Sequence, residues 1–281
     1  MTDEWSQSLK ELWVPVSASI AQQRKVESIA NNIANANTAG FKKDTLVFRE
    51  ELAVLEKGIS NGHVPQKEWS PGDFYHHHGA EQSFVGIDGS FTKHTQGQLL
   101  PTSNPLDIGI RGKGFFEVLT KNGIRYSRNG IFSLSPKGEL IDQQGNFILG
   151  NFDKSALDSG QLPNPKDRKI ILNLNKKIDI VRNGKVFQDD NPVGQISLIE
   201  FKDAHALKKQ GHSFFSNPNN ENIKSQTKSA LHQGFIEQSN VNPIVEMSEL
   251  IKAHRHFESI QKAIKAYDSM AGKTINELSK Y

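Results

Sequence analysis

Two groups of residues could in principle support chemistry, but the sequence favours an interpretation without a binding site for each. The triplet His76-His77-His78 is metal-like, but consecutive side chains of an extended chain point to alternating sides, so at most two could share one ion. The run Gly112-Lys113-Gly114 resembles the start of a phosphate-binding loop. However, Glu117 stands in place of the third glycine and Phe115-Phe116 continues as a strand, which predicts a tight turn. Acidic residues are scattered as on a solvated surface. We therefore expect no enzyme, no metal site and no cofactor.

The composition excludes further classes of protein. The 281-residue chain has 34 basic and 31 acidic residues, and a net charge of +3 is not that of a polyacid or a strongly basic nucleic-acid binder. The basic pairs Lys42-Lys43, Lys176-Lys177 and Lys208-Lys209 lack interleaved aromatic residues and predict ordinary surface, with no nucleic-acid partner. Membrane insertion is not expected, because no run approaches the ~20 apolar residues of a spanning helix. The start Met1–Glu4 lacks the features of a cleaved secretory signal.

Both ends of the chain are predicted to be helical, and these helices would position functional residues near them. Near the C-terminus, Asn242 can cap a helix and Pro243 suits its first position. Beyond them, residues alternate by three and four with a period of 3.5, which is typical of a coiled-coil seam. The seam consists of Leu250, Ala253, Phe257, Ile260, Ile264, Tyr267, Ala271, Thr274 and Leu278, all but Thr274 able to pack in an apolar interface. Gly272 is expected to end the regular helix early.

The N-terminal helix has two apolar faces in succession, which indicates two different neighbours. The faces, rotated by roughly 100° from one another, are Leu9, Leu12, Trp13, Val16 and Ile20, and then Val26, Ile29, Ala30 and Ile33. Pro15 is expected to kink this helix, and Gly40 to cap its end in a left-handed conformation.

The middle of the chain predicts β structure. Short apolar runs alternate with turn signals such as Asn122-Gly123 and Asn129-Gly130. We therefore predict an α+β fold in which the N- and C-terminal helices form a coiled-coil core domain beside a mainly β central domain. The predicted divisions are an N-terminal helix (1–45), an extended linker or arm (46–83), the β domain (84–238) and a C-terminal helix (239–281).

Four asparagines within seven residues stand out at the end of the first helix: Asn31, Asn32, Asn35 and Asn37. Asparagine is a poor residue inside a helix, because its side chain competes for backbone hydrogen bonds. The alternating small alanines permit close approach of other backbones. The pattern predicts a hydrogen-bonded packing site, equally within the chain or between chains.

These asparagines begin a set of blocks that resembles the bacterial flagellar axial proteins of the rod and hook. The blocks follow the order they have in that family and are IANNIANANTAGFK (29–42), NPLDIGIRGKGFFEV (104–118), YSRNGIF (126–132) with GELI (138–141), and SNVNP (239–243) with RHFE (255–258). Together they span most of the chain.

The resemblance implies a structural subunit of the flagellar basal-body rod, of the FlgF/FlgG type. Its terminal helices would pair in a coiled-coil core, and copies would stack helically into a torque-transmitting tube with other rod and hook subunits. The forms of the 239–243 and 255–258 blocks favour the proximal rod, whereas the long stretch 46–98 is more similar to the distal rod protein. The residues expected at the assembly interface are Asn31, Asn32, Asn35, Asn37, Gly40, Phe41, Asn240, Asn242, Leu250, Arg255, Phe257, Glu258, Ile260, Ile264 and Tyr267.

The resemblance also implies a route and a location. Such subunits leave the cytoplasm through the flagellar type III export apparatus, without a cleaved signal peptide, and reach the periplasmic rod. Phe48 and Leu52 resemble the family's export motif of a phenylalanine followed four residues later by an apolar residue, although an amphipathic start to the linker explains them as well. Three alternatives stay open: a distal rod or hook-type subunit of the same family, a β-domain binding module, and a cell-wall glycan-acting enzyme.

Overall fold

The computed structural model describes residues 2–54, 81–152, 164–173, 176–211, 213–224 and 228–278. Within them, two long helices flank a series of strands, which confirms the predicted α+β class with a mainly β centre. The helices are α1 (Thr2–Ala34) and α2 (Pro243–Leu278). The strands are β1 (Asp44–Val54), β2 (Glu81–Thr92), β3 (Leu99–Pro101), β4 (Ile108–Arg111), β5 (Gly114–Thr120), β6 (Gly123–Ser127), β7 (Phe132–Leu134), β8 (Leu140–Asp142), β9 (Phe147–Ile148), β10 (Ile178–Ile180), β11 (Lys185–Gln188), β12 (Asn191–Gln195), β13 (Leu198–Glu200), β14 (Lys208–Gln210), β15 (Phe214–Ser216), β16 (Ala230–Gln233) and β17 (Phe235–Glu237).

The chain divides into two compact units. The helical unit comprises Met1–Ala30, Leu46–Ser90 and Ile244–Tyr281, and the β unit comprises Asn31–Thr45 and Phe91–Pro243. Strands β1 and β2 pair as a two-stranded ribbon and occupy the described part of the segment predicted as a linker. In the helical unit the Val85 N–H donates to Ser17 Oγ over 3.4 Å, so β2 lies against α1.

Helix α1 contains Pro15 and continues past it, and the kink expected there stays a prediction. The helix ends differ from the sequence-based expectation at two glycine positions. Helix α2 continues through Gly272 to Leu278, so the early end predicted at Gly272 is wrong. A glycine inside a helix costs only about 1 kcal/mol relative to alanine, which a 36-residue helix absorbs. Gly40 does adopt a left-handed conformation (φ +69°), but α1 has already ended at Ala34, so Gly40 is not its cap.

The β unit is built around strand β5, which is buried on both faces. The largest sheet has eight strands in the order β14-β15-β6-β5-β9-β8-β7, with β13 also paired to β5, and smaller sheets join β10-β11-β12, β16-β4 and β17-β3. Because successive side chains of a strand point to opposite faces, Phe116 and Val118 enter one apolar cluster while Phe115 enters the other. The β5–β6 hairpin turns at Asn122-Gly123 as predicted, with Gly123 at φ +94°.

Candidate functional site

The asparagine run at the end of α1 separates into buried and exposed side chains. Asn32 is 1% exposed and binds the backbone of Asp44 twice: its Nδ2 donates to the carbonyl oxygen over 2.9 Å and its Oδ1 accepts from the N–H over 3.1 Å. Asn35 Nδ2 donates to the Asn31 carbonyl oxygen over 2.8 Å and closes the last turn of the helix. Asn31 and Asn37 are exposed. The structure therefore assigns Asn32 to packing within the chain, whereas two of the other asparagines face solvent.

Gly40 and Phe41, both expected at the assembly interface, lie inside the β unit. The Gly40 N–H donates to the Glu237 carbonyl oxygen over 2.7 Å, and a Cβ on Gly40 would stand 2.3 Å from the Arg128 carbonyl carbon, so only glycine fits. Phe41 is 2% exposed, with Lys209 Nζ 3.8 Å from its ring centroid. Any role of these two residues in assembly is indirect, because neither can touch another molecule without opening the fold.

Three charged side chains meet beside them in a buried cluster. Glu237 Oε1 accepts from Lys42 Nζ over 2.6 Å, and Glu237 Oε2 accepts from Arg128 over 2.9 Å. All three side chains are between 0% and 1% exposed. The remaining donors reach backbone carbonyls, Lys42 that of Thr95 over 2.7 Å and Arg128 that of Gly112 over 2.7 Å. We call Lys42, Arg128 and Glu237 the charge cluster.

The charge cluster was not foreseen from the sequence, and the expectation that Lys42 belongs to ordinary surface is wrong. A lysine beside a second lysine carries no signal of burial. Glu237 offered a clue, since it ends an apolar strand, Phe235-Ile236, but its partners lie 195 and 109 residues away. Only the tertiary fold reveals such pairs.

Asn240 joins the same region through its side chain. Its Oδ1 accepts from the Lys43 N–H over 2.8 Å, and its Nδ2 donates to the Lys93 carbonyl oxygen over 2.7 Å and to Thr95 Oγ1 over 2.9 Å. The Gly97 N–H adds a hydrogen bond to Glu237 Oε1 over 2.8 Å. Segments 40–43, 93–97 and 237–240 therefore meet, and we call their meeting point the junction.

Electrostatics at the junction disfavour extra positive charge. Burial lowers the pKa of Lys42, with Arg128 acting in the same direction and Glu237 opposing it. Next to it, burial lowers the pKa of His94 to about 4, and electrostatic interactions with His205, Lys42 and Arg128 act in the same direction. The His94 ring lies between aromatic rings, 5.2 Å from Phe215 and 5.7 Å from Phe115 between ring centroids. His94 is therefore neutral at pH 7.

Helix α2 carries the other predicted interface residues. It begins at Pro243 as predicted, directly after the exposed Asn242. Ala253 in the seam is 1% exposed. The other predicted residues divide by exposure: Leu250, Phe257, Ile260 and Ile264 are half-buried, whereas Arg255, Glu258 and Tyr267 are exposed.

A second apolar row on α2 was missed by the sequence analysis, which described only one seam. Ile244 is 77% exposed, Met247 50% and Ile251 55%. Their spacing of three and four places them along one side of the helix, about 160° from Ala253 at the middle of the seam. The start of α2 therefore has apolar residues on two opposite sides, whereas the sequence predicted two apolar faces only for α1, in succession and roughly 100° apart.

The predicted export motif lies on β1. Phe48 is 36% exposed. Leu52 belongs to the same strand, but its side chain lies outside the described residues, as does the whole triplet His76-His77-His78.

Features for small-molecule chemistry are few in the described part of the chain. It holds no group of three or more His, Cys, Asp or Glu side chains placed to bind a metal. Gly112-Lys113-Gly114 is a tight turn between β4 and β5, as predicted. A polar cavity of about 290 Å³ includes Asp142 in its wall, but the Asp142 carboxylate already accepts two backbone N–H groups, from Gln144 and Asn146. None of the described helices combines the length and apolar character needed to cross a membrane.

The fold is that of a β unit whose two chain ends meet at the buried junction and lead into the long helices α1 and α2. Family models agree along the chain. Residues 12–42 match "Flagella basal body rod protein", 109–188 match "Flagellar hook protein FlgE/F/G D1 domain", and 232–278 match "Flagellar basal body rod FlgEFG protein C-terminal".

Curated relatives match over nearly the whole chain. The flagellar basal-body rod protein FlgF of Caulobacter vibrioides is 31% identical over 269 residues, covering 96% of this chain and 98% of the relative. The flagellar hook-basal body complex protein FlhO of Bacillus subtilis is 31% identical (97% and 99% covered), and the rod protein FlgG of the same organism is 29% identical (95% and 98% covered). The chain belongs to the flagellar basal-body rod protein family, of the FlgF/FlgG type. This family is structural, not enzymatic.

Proposed function

We propose that this chain is a structural subunit of the flagellar rod that assembles through α1 and α2 with copies of itself and with other rod and hook subunits. The observation that carries the proposal is the pair of opposite apolar sides at the start of α2. A contiguous exposed apolar row on a folded chain marks an interaction surface. Ile244, Met247 and Ile251 are such a row.

In the proposed rod the two sides of α2 have different partners. The seam from Leu250 to Ile264, with its period of 3.5 residues, suits a coiled-coil core with α1. The outer row then contacts a neighbouring subunit. Contacts between unlike surfaces that do not close into a ring generate an open helical assembly, which is the geometry that a torque-transmitting tube requires.

The predicted interface residues take two roles in this proposal. Those that are exposed contact neighbouring subunits directly, and they are Asn31, Asn37, Asn242, Arg255, Glu258 and Tyr267. Those that are buried, bonded at the junction or, like Asn35, bonded within the end of α1 position the helices instead, and they are Asn32, Asn35, Gly40, Phe41 and Asn240. The half-buried Leu250, Phe257, Ile260 and Ile264 form the coiled-coil seam.

The proposal includes an export route. The chain passes through the flagellar type III apparatus, guided by Phe48 and Leu52, and assembles in the periplasmic rod. The exposure of Phe48 supports this role, because an export component can reach it. Within the rod we place the chain in the proximal part, on the forms of its 239–243 and 255–258 blocks.

A matched pair of substitutions tests the assembly surface. Ile251→Glu places a charge in the outer row, and Ile171→Glu places the same charge at an equally exposed isoleucine of the β unit, 60% against 55%. We expect both variants to melt like the wild type, since surface changes alter stability by about 0.5 kcal/mol or less. Only Ile251→Glu should abolish incorporation into basal bodies and swimming. Full motility of the Ile251→Glu strain would refute the assembly role of this surface.

A further inference from the structure

The charge cluster contains more positive than negative charge. Lys42 and Arg128 share the single carboxylate of Glu237, one cation on each oxygen. Arg128 Nε is also buried and has no hydrogen-bond partner. Two buried cations repel one another and are both removed from water, and both costs rise in a low-dielectric interior. The cluster therefore depends on Glu237 more than an ordinary ion pair depends on either partner.

Glu237 is also the last of the three to be supplied along the chain. It lies 195 residues after Lys42 and 109 after Arg128, and six residues before α2 begins at Pro243. Contacts of such long sequence separation close only after a large loss of chain entropy. Until Glu237 is present, Lys42 and Arg128 have no buried carboxylate to separate them.

We propose that Lys42, Arg128 and Glu237 form a latch that closes after the rest of the β unit has folded and sets the two chain segments leading to α1 and α2 side by side. Excess positive charge keeps the latch open in a chain that lacks residue 237. The β unit thus completes its fold only when nearly the whole chain has been delivered. This inference goes beyond the proposed function and does not depend on it.

Folding kinetics of the full-length chain test the latch. Refolding and unfolding are followed by pulsed hydrogen exchange and mass spectrometry on peptides spanning 114–127, which cover β5 and β6 of the β unit. The variants are Glu237→Gln, Lys42→Met and Lys42→Met/Glu237→Gln. The control is Glu27→Gln, which breaks an exposed ion pair with Arg24.

Three outcomes are expected. Glu237→Gln should unfold at least about 10-fold faster while refolding within about 2-fold of the wild-type rate, because a contact that forms after the transition state affects mainly unfolding. The double variant should unfold more slowly than Glu237→Gln, because it removes one of the two unneutralised cations. The control should match the wild type in both rates.

Either of two results would overturn the latch. A refolding rate that falls as much as the unfolding rate rises shows that the cluster forms early. A double variant that unfolds as fast as Glu237→Gln shows that the second buried cation does not destabilise the folded state. If Glu237→Gln does not fold, Glu237→Asp, which keeps the charge but shortens its reach, provides the same pair of rates.

Discussion

Two short regions, residues 31–45 at and beyond the end of α1 and residues 243–251 at the start of α2, contrast sharply. Both lie in or beside blocks that resemble the family, and each contains predicted interface residues, of which Leu250 is the one in the second region. The first is folded into the β unit, with Phe41 2% exposed and Lys42 0%. The second leaves Ile244 and Ile251 more than half exposed.

The contrast shows that a family motif does not by itself indicate a contact between subunits. Residues such as Gly40 and Asn32 are explained by demands inside one chain: a left-handed close approach and a buried amide paired with backbone. The outer row of α2 is instead exposed, from 50% at Met247 to 77% at Ile244. Changes in the first region should therefore alter stability, and changes in the second should alter assembly.

The largest effect should come from truncation, because the β unit begins at Asn31. Deleting residues 1–30 should leave exchange protection in β5 unchanged. Deleting 1–45 also removes Lys42, Phe41 and the Gly40 hydrogen bond, and should abolish that protection. Hydrogen exchange on the two proteins measures the difference. Equal protection in both would place the region outside the β unit.

Next in size, Phe41→Ala should lower the free energy of unfolding of the β unit by about 3–5 kcal/mol, the usual cost of emptying a buried aromatic site. The lost contact with the Lys209 ammonium adds to the cavity. Urea denaturation followed by circular dichroism measures the change. A loss below 1 kcal/mol would mean that region 31–45 is held only loosely.

Asn32→Leu should have an intermediate effect, about 1–3 kcal/mol, because the buried amide of Asn32 is lost and the partly buried N–H and carbonyl of Asp44 lose their partner. Asn37→Leu is the matched control, since Asn37 is exposed, and it should melt like the wild type. If the two variants have the same melting temperature, the buried amide contributes nothing to stability.

Acid should destabilise the β unit through His94. Its pKa is lowered from 6.5 to about 4, so the unfolded chain binds the proton first as the pH falls. The contribution of His94 to the free energy of unfolding is fully present above about pH 6.5 and is lost as the pH falls from 6.5 to about 4. The steepness of this loss corresponds to the uptake of up to one proton by the unfolded chain. Urea titrations across this range should show a flatter profile for His94→Phe. An unchanged profile would assign the decline to other groups.

The smallest effect on stability should come from the outer row. Ile244→Ser should change the free energy of unfolding by about 0.5 kcal/mol or less, because the side chain is 77% exposed. Thermal denaturation of the isolated protein measures it. A clear loss of stability would show that this row already packs within the chain and would remove the contrast with Phe41.

Some of this protein could be read from its sequence because the signals are local. Period and capping predicted α2 and its start at Pro243, and the Asn122-Gly123 pair predicted the β5–β6 hairpin. The helix end predicted at Gly272 was wrong, because a long helix tolerates the small free-energy cost of one glycine.

By itself the sequence determined the helix–β–helix order, the main turns and the membership of the rod family, all of which depend on neighbouring residues. Only the tertiary structure decided which motif residues are buried. Lys42, Arg128 and Glu237 come from distant parts of the chain, and a buried charge cannot be told from a surface charge without its partners. The fold also decided that the start of α2 exposes an apolar row, because exposure depends on what the rest of the chain covers.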